Sequence, residues 1–199
     1  MNMKGELIGQ SVQQGITIYN NSGKTTHHGA ELALSYQLIK PQDQLKVSGL
    51  RPFVALTYSD FKFTDYKVLN AANEVAAVYN GNQLTGVAPW VLNAGLDAGL
   101  TNGLSLFINY LYSDRLPLND ANTAYNASYQ VLNTKVTYPV VLGKHLALNL
   151  YAGIDNVLNE RYSSIVALNA VGYAGAQPAY FLPSPGRSGY GGLNVKWNF

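Results

Sequence analysis

The sequence predicts an all-β fold, a transmembrane antiparallel β-barrel built as a meander. Three observations predict it. Apolar residues recur with a period of two, charge is confined to one of the two faces this period creates, and short connections alternate with long ones. Composition agrees. A chain of 199 residues has room for one ordinary domain. Asp, Glu, Lys and Arg make up only 12% of it, about half the usual soluble share, whereas Gly (19) and Tyr (15) are abundant. Although 47% of residues are hydrophobic, no unbroken apolar run approaches the ~20 residues a membrane helix needs. The net charge of +2 is small and scattered, and no nucleic-acid partner is expected. The absence of Cys fits a periplasm-exposed protein.

Seven strands follow from the periodicity. Near 16–38, Ala30, Leu32, Leu34, Tyr36 and Leu38 alternate with Glu31, Ser35 and Gln37. Over 48–63, Val54, Leu56 and Tyr58 share a face. Over 86–100, Leu92, Ala94, Leu96, Ala98 and Leu100 alternate with Asn93, Gly95, Asp97 and Gly99. Over 103–115, Leu104, Leu106, Ile108, Tyr110 and Tyr112 oppose Ser105, Phe107 and Asn109. The 125–138 segment is less regular, with Leu132, Val136 and Tyr138 opposite Asn133, Lys135 and Thr137. Over 145–157, Leu146, Leu148, Leu150, Ala152 and Ile154 alternate with Ala147, Asn149, Tyr151 and Gly153. The last strand, 186–199, sets Leu193, Val195, Trp197 and Phe199 against Tyr190, Gly192, Asn194, Lys196 and Asn198.

The two faces differ in the way a lipid-facing wall requires. One holds large apolar residues and no charge; the other holds Gly, Ala, Ser and Asn with scattered charges, among them Glu31, Asp97, Lys135 and Lys196. A soluble barrel needs the reverse, a bulky interior and an exterior rich in Lys and Glu. A Lys or Arg on a lipid face costs about 2–4 kcal/mol at the midplane, which accounts for the exclusion. Tyr36, Tyr58, Trp90, Tyr110, Tyr112, Tyr138 and Trp197 near strand ends read as an interfacial girdle. The turns at 100–103, around 40–43 and at 139–144 are short and fall on the periplasmic side. The connections 64–85, 114–124 and 159–185 are long and project outward.

An odd strand count does not close a bacterial single-chain barrel. Lys4-Gly5-Glu6-Leu7-Ile8-Gly9 is too short and irregular to supply an eighth span and reads as the end of a preceding strand with its loop. Met1 to Glu6 lacks the pattern of a secretory signal. Residues 1–199 are therefore expected to be the C-terminal portion of a larger barrel.

Three segments resemble one family. Gly153-Ile154-Asp155-Asn156-Val157-Leu158-Asn159-Glu160-Arg161-Tyr162 resembles the G-x-x-N-L-F-D-x-x-Y segment of TonB-dependent outer-membrane receptors, with Asn159 for the usual Asp. Pro185-Gly186-Arg187-Ser188, leading through Tyr190, Gly192 and Leu193 to Phe199, resembles their closing strand. Asn21-Ser22-Gly23-Lys24-Thr25 followed by Gly29-Ala30-Glu31-Leu32 resembles their N-x-G-K-x…G-x-E-L segment. The resemblance implies a barrel of about 22 strands, plugged by an N-terminal domain, that imports scarce nutrients in the bacterial outer membrane with energy from the TonB complex. Neither plug nor TonB box has a counterpart here, so TonB would be reached only through a plug outside these residues. The implied cargo is a small molecule, most often an iron chelate (siderophore), with cobalamin, other metals and oligosaccharides as alternatives.

Individual residues invite sharper readings. His27 and His28 point to opposite faces and His145 sits in a turn, so neither a metal site nor a Ser/His hydrolase is expected. No cofactor is implied, and no enzymatic chemistry. Asp97, Lys135 and Lys196 line the inner wall, against the plug or along a substrate path. The outer-loop residues Tyr79, Arg115, Tyr173 and Tyr180 are candidate ligand contacts, since aromatic and Arg side chains supply most binding hot spots. Tyr190, Gly192, Val195, Trp197 and Phe199 resemble the signal read by the barrel-assembly machinery, and an amphipathic strand with an open edge can pair by β-augmentation. The expected function is a segment of a TonB-dependent receptor and transporter. The alternatives are an autonomous small outer-membrane barrel acting as pore or adhesin, and a soluble β-sandwich binding module.

Overall fold

A computed structural model describes residues 1–4, 7–13, 16–21, 23–40, 46–69, 72, 74–172 and 174–197, through 4–21 by backbone alone. Eight antiparallel strands form one open meander: β1 (Asn2–Lys4), β2 (Lys24–Ser35), β3 (Val47–Asp65), β4 (Trp90–Leu100), β5 (Ser105–Ser113), β6 (Tyr129–Leu142), β7 (Leu146–Asp155) and β8 (Ser188–Trp197). Each pairs with its sequence neighbour, so β1 and β8 are the two ends of the sheet. Among the described residues no helix is long and apolar enough to cross a membrane, which leaves crossing by strands open.

All seven expected strands are present, with shifted ends. The first is broken: Ile16–Asn21 pairs with Leu7–Gln13 in a separate ribbon, and β2 begins after Gly23, whose φ of +80° bends the chain out of the ladder. The preceding strand ends at Lys4, since Asn2–Lys4 pairs with Lys24–Thr26, while Leu7–Gly9, read as its loop, is part of that separate ribbon. Pro139–Leu142, read as a turn, continues β6 opposite Leu146–Asn149. A proline is tolerated there because the β5 ladder has already ended at Thr137↔Ser105, so on that side no partner is deprived of an N–H. Conversely, Tyr125–Asn126 belongs to a short ribbon with Leu116–Pro117 and not to β6. The turn around 40–43 lies largely outside the described residues, as do Asn198 and Phe199.

Register turns the one-dimensional alternation into two chemically distinct surfaces. Leu34, Val54, Ala94, Tyr110 and Leu132 lie in one row across β2 to β6. Tyr138, Leu150 and Leu193 continue the same face across β6 to β8. Leu34 is 58% exposed and Val195 61%, values that would make this a large sticky patch in water. No second layer covers it among the described residues. On β3 the apolar positions run from Leu50 to Tyr58, about 27 Å at ~3.4 Å per residue. With a strand tilt of about 40° that gives roughly 20 Å of height, close to the ~25 Å apolar band of an outer-membrane barrel.

The opposite face carries Arg51, Asp97, Phe107 and Lys135 in register. Arg51 and Asp97 form an ion pair, and the Lys135 ammonium sits 5.2 Å from the Tyr151 ring centroid. Arg51 was not singled out from the sequence. The abundant glycines have a packing role here: the Phe53 ring lies over Gly95, Tyr190 over Gly153 and Tyr151 over Gly192, each filling space that a Cβ would claim.

Because β1 and β8 do not pair with each other, residues 1–199 expressed alone should fail to form a closed, heat-modifiable monomer. Semi-native gel electrophoresis of the chain refolded in detergent checks this. A monomer that shifts between boiled and unboiled samples would contradict it.

Candidate functional site

The connections 66–89, 114–128 and 156–187 leave the same end of the sheet, as does 5–23, which carries the Leu7–Gln13 and Ile16–Asn21 ribbon. The short connections 101–104 and 143–145 lie at the other end. In the first of these, Gly103 takes φ +89° and donates its N–H to Leu100. The fully buried side chains Phe63, Tyr66 and Leu118 gather at the long-connection end. The sheet itself needs no such core if its apolar face meets lipid.

What joins these connections is a set of polar groups around Asp120, which is 4% exposed. Its Oδ2 accepts the Tyr66 hydroxyl at 2.9 Å, and its Oδ1 accepts the Thr85 hydroxyl and the Asn169 amide, the latter at 3.1 Å. Its backbone carbonyl accepts Asn82 Nδ2 at 2.8 Å, and its backbone N–H donates to Asn169 Oδ1 at 3.0 Å. One residue of 114–128 is thereby tied to both 66–89 and 156–187. Around it, Gln83 N–H donates to Asn122 Oδ1, Asn122 Nδ2 returns a bond to Gln83 O, and Asn126 Nδ2 reaches Ser163 O. A carboxylate loses its hydration when buried, and three donors replace it.

The exit from β7 is built the same way. Asn156 is 2% exposed and left-handed (φ +51°). Its Oδ1 accepts Glu160 N–H at 2.9 Å while its Nδ2 donates to Glu160 O and Pro185 O. Its own N–H donates to Asn133 Oδ1. Asn159, also left-handed, accepts Arg187 N–H just before β8. The Asn156–Tyr162 motif is thus a structural clamp that sets the start and return of the last connection, and Tyr162 stacks on Tyr129 at 4.7 Å.

The residues singled out beforehand are distributed differently. Tyr79 packs edge-on against Tyr66 at 5.5 Å, the Arg115 guanidinium lies 4.9 Å over the Tyr125 ring, and Tyr180 meets Phe181 at 6.3 Å. Each is held by an aromatic neighbour in its own connection; Tyr173 lies outside the described residues. His27 stacks on Phe61 and its Nε2 is 3.0 Å from Thr25 Oγ1, while His28 stands opposite Asp60. His145 stacks on Trp197. Among the described residues no three His, Asp or Glu side chains converge as a metal site. Val195 and Trp197 are exposed on the apolar face, and Tyr190 and Gly192 occupy the other. At the long-connection end of β3, on the same face as Leu56 and Tyr58, the Asp60 carboxylate accepts a hydrogen bond from Lys62 at 2.8 Å and raises the pKa of that ammonium. Sequence reading missed Asp120 and Asn169, whose only local signal is the richness of these stretches in Asn and Asp, residues that tolerate positive φ, and it marked Asn156 only through the family-like motif.

Residues 2–157 match the family described as TonB dependent receptor-like, beta-barrel. Among solved structures, the siderophore receptor PiuA from Acinetobacter baumannii is similar with a TM-score of 0.68 and 20% identity, over 99% of this chain and 25% of that one. The ferric yersiniabactin uptake receptor FyuA from Yersinia pestis gives 0.64 and 17%, over 92% and 25%. The copper transporter OprC gives 0.62 and 16%, over 100% and 27%. The chain thus spans about a quarter of the length of these proteins, and at such identities the likeness is one of fold. The family match, which covers well over half of the chain, goes further: this chain belongs to the TonB-dependent receptor-like β-barrel family.

Proposed function

We propose that residues 1–199 are the C-terminal portion of the barrel wall of an outer-membrane TonB-dependent receptor that imports a scarce nutrient, with an iron chelate (siderophore) as cargo. The observation that carries the reading is the segregation of the two faces, exposed and free of charge over the Leu50–Tyr58 span on one side, polar with an ion pair on the other, beneath a hydrogen-bonded cluster of long connections; Asp60 and Lys62 enter the first face only beyond that span. Lipid is the solvent of the first face, and the interior of the barrel adjoins the second. In this reading the chain performs no catalysis, and TonB engages a plug outside these residues. An iron chelate is favoured over other cargo by the proteins of like fold described as siderophore and ferric yersiniabactin receptors. Tyr79, Arg115, Tyr173 and Tyr180 are the proposed cargo contacts. Tyr190, Gly192, Val195, Trp197 and Phe199 are the proposed signal to the assembly machinery.

Two deletions separate these roles, because assembly and cargo binding are assigned to opposite ends of the strands. In iron-starved cells, removing 170–178 should abolish growth on a ferric siderophore as the only iron source while leaving the amount of protein in the outer membrane unchanged. Deleting Phe199 should lower that amount without changing the affinity of the molecules that remain. Intact abundance with lost affinity on deleting Phe199 would overturn the topology. Undiminished growth on every siderophore tested after removing 170–178 would overturn the loop assignment.

A further inference from the structure

The three long connections behave in the structure as one body. Asp120 accepts hydrogen bonds from Tyr66 and Thr85 of one neighbouring connection and from Asn169 of the other, and its own backbone bonds Asn82 and Asn169. Two further backbone bonds cross the same seams: Asn169 N–H to Leu118 O and Gly86 N–H to Pro117 O, at 2.8 and 2.9 Å. The aromatic candidates hang from this core. Tyr66, whose hydroxyl is held by Asp120, carries Tyr79 against its ring and accepts the Tyr79 N–H on its carbonyl. On the other side Tyr180 O accepts Ala167 N–H, two residues before Asn169.

We infer that Asp120 is a positioning residue that locks the connections 66–89, 114–128 and 156–187 into a single platform and so fixes the relative placement of Tyr79 and Tyr180. Its role in cargo capture rests on the function proposed above; the lock itself does not. The physical basis is cooperative. A buried carboxylate stripped of one donor is left under-solvated, so every bond to Asp120 favours the others, and the three connections order together. A platform of this kind binds with less ordering cost than three independent loops.

Residues 1–199 contain no Cys, so within them spin labels attach only at introduced thiols, and any Cys elsewhere in the full protein is first replaced by Ser. In the full protein in native outer-membrane vesicles, labels at Ala76→Cys and Gln177→Cys should give one narrow distance distribution by pulsed electron resonance. Asp120→Ala should broaden it at least twofold. Asp120→Asn should restore most of the narrowness, because the amide oxygen keeps Thr85 and Asn169 and the Tyr66 hydroxyl turns to accept. Should Asp120→Ala not reach the membrane, Asn169→Ala serves instead and should also broaden the distribution. An unchanged width in the assembled alanine variant, or equal broadening by Asp120→Asn, would overturn the lock. A confirmed lock with undiminished siderophore-dependent growth of Asp120→Ala cells would instead overturn its role in capture.

Discussion

Replacing Val54 by Arg should destabilise the protein in a bilayer by about 2–4 kcal/mol, whereas replacing its neighbour Ala55 by Arg should cost less than about 1. The two positions share a strand and a depth and differ only in the face they present. Val54 lies in the middle of the Leu50–Tyr58 apolar run, in register with Leu34 and Ala94. In the orientation proposed above, an Arg there faces acyl chains midway between the two interfaces. Ala55 stands on the polar face between Ala33 and Asn93, small neighbours that leave room for a long side chain in contact with water. Urea unfolding of the protein in lipid vesicles, or the abundance of the two variants in the outer membrane, measures the difference. Equal costs would show that the inside and outside of the sheet are misassigned.

Asn156→Ala should cost about 3 kcal/mol, an unusually large effect for a residue in a turn. Two terms add. The side chain satisfies Glu160 N–H, Glu160 O and Pro185 O in a buried setting, and leaving such groups without partners costs about 1–3 kcal/mol. The left-handed backbone adds roughly 1 kcal/mol for a residue with a Cβ and no local hydrogen bond. Asn156→Gly removes the second term, so it should be milder by about that amount. Amide hydrogen exchange is the sharper readout. In Asn156→Ala, protection should fall through 157–160 and at the start of β8 while β2 to β4 keep theirs. A loss below about 0.5 kcal/mol would mean that the motif containing Asn156 is not the clamp described.

The alternation of Leu92, Ala94, Leu96 and Ala98 with Asn93, Gly95 and Asp97 was enough to establish strand and face without coordinates. Side-chain period is a property of the single strand. The ends of the strands were legible less well. The expected first strand runs through Ile16–Asn21 and the expected fifth ends before Pro139, yet pairing breaks at Gly23 and persists past Pro139. Pairing depends on where the neighbouring strand ends, which no single segment encodes. The order of the strands and the end from which the long connections project also followed from the sequence, because in a meander each strand pairs with the next.

The candidate site divides along the same line. The aromatic and Arg residues of the long connections could be named from composition, and the resemblance marked Asn156 without explaining it. That Asp120 would be buried, and would meet Tyr66, Thr85 and Asn169, 35 to 54 residues away, was decided only by the tertiary structure. Periodic patterns arise from contacts repeated every two residues. The connections have no period, and their conformation is set by hydrogen bonds between segments that the sheet brings together, so the sequence determined the wall and the folded chain determined the platform above it.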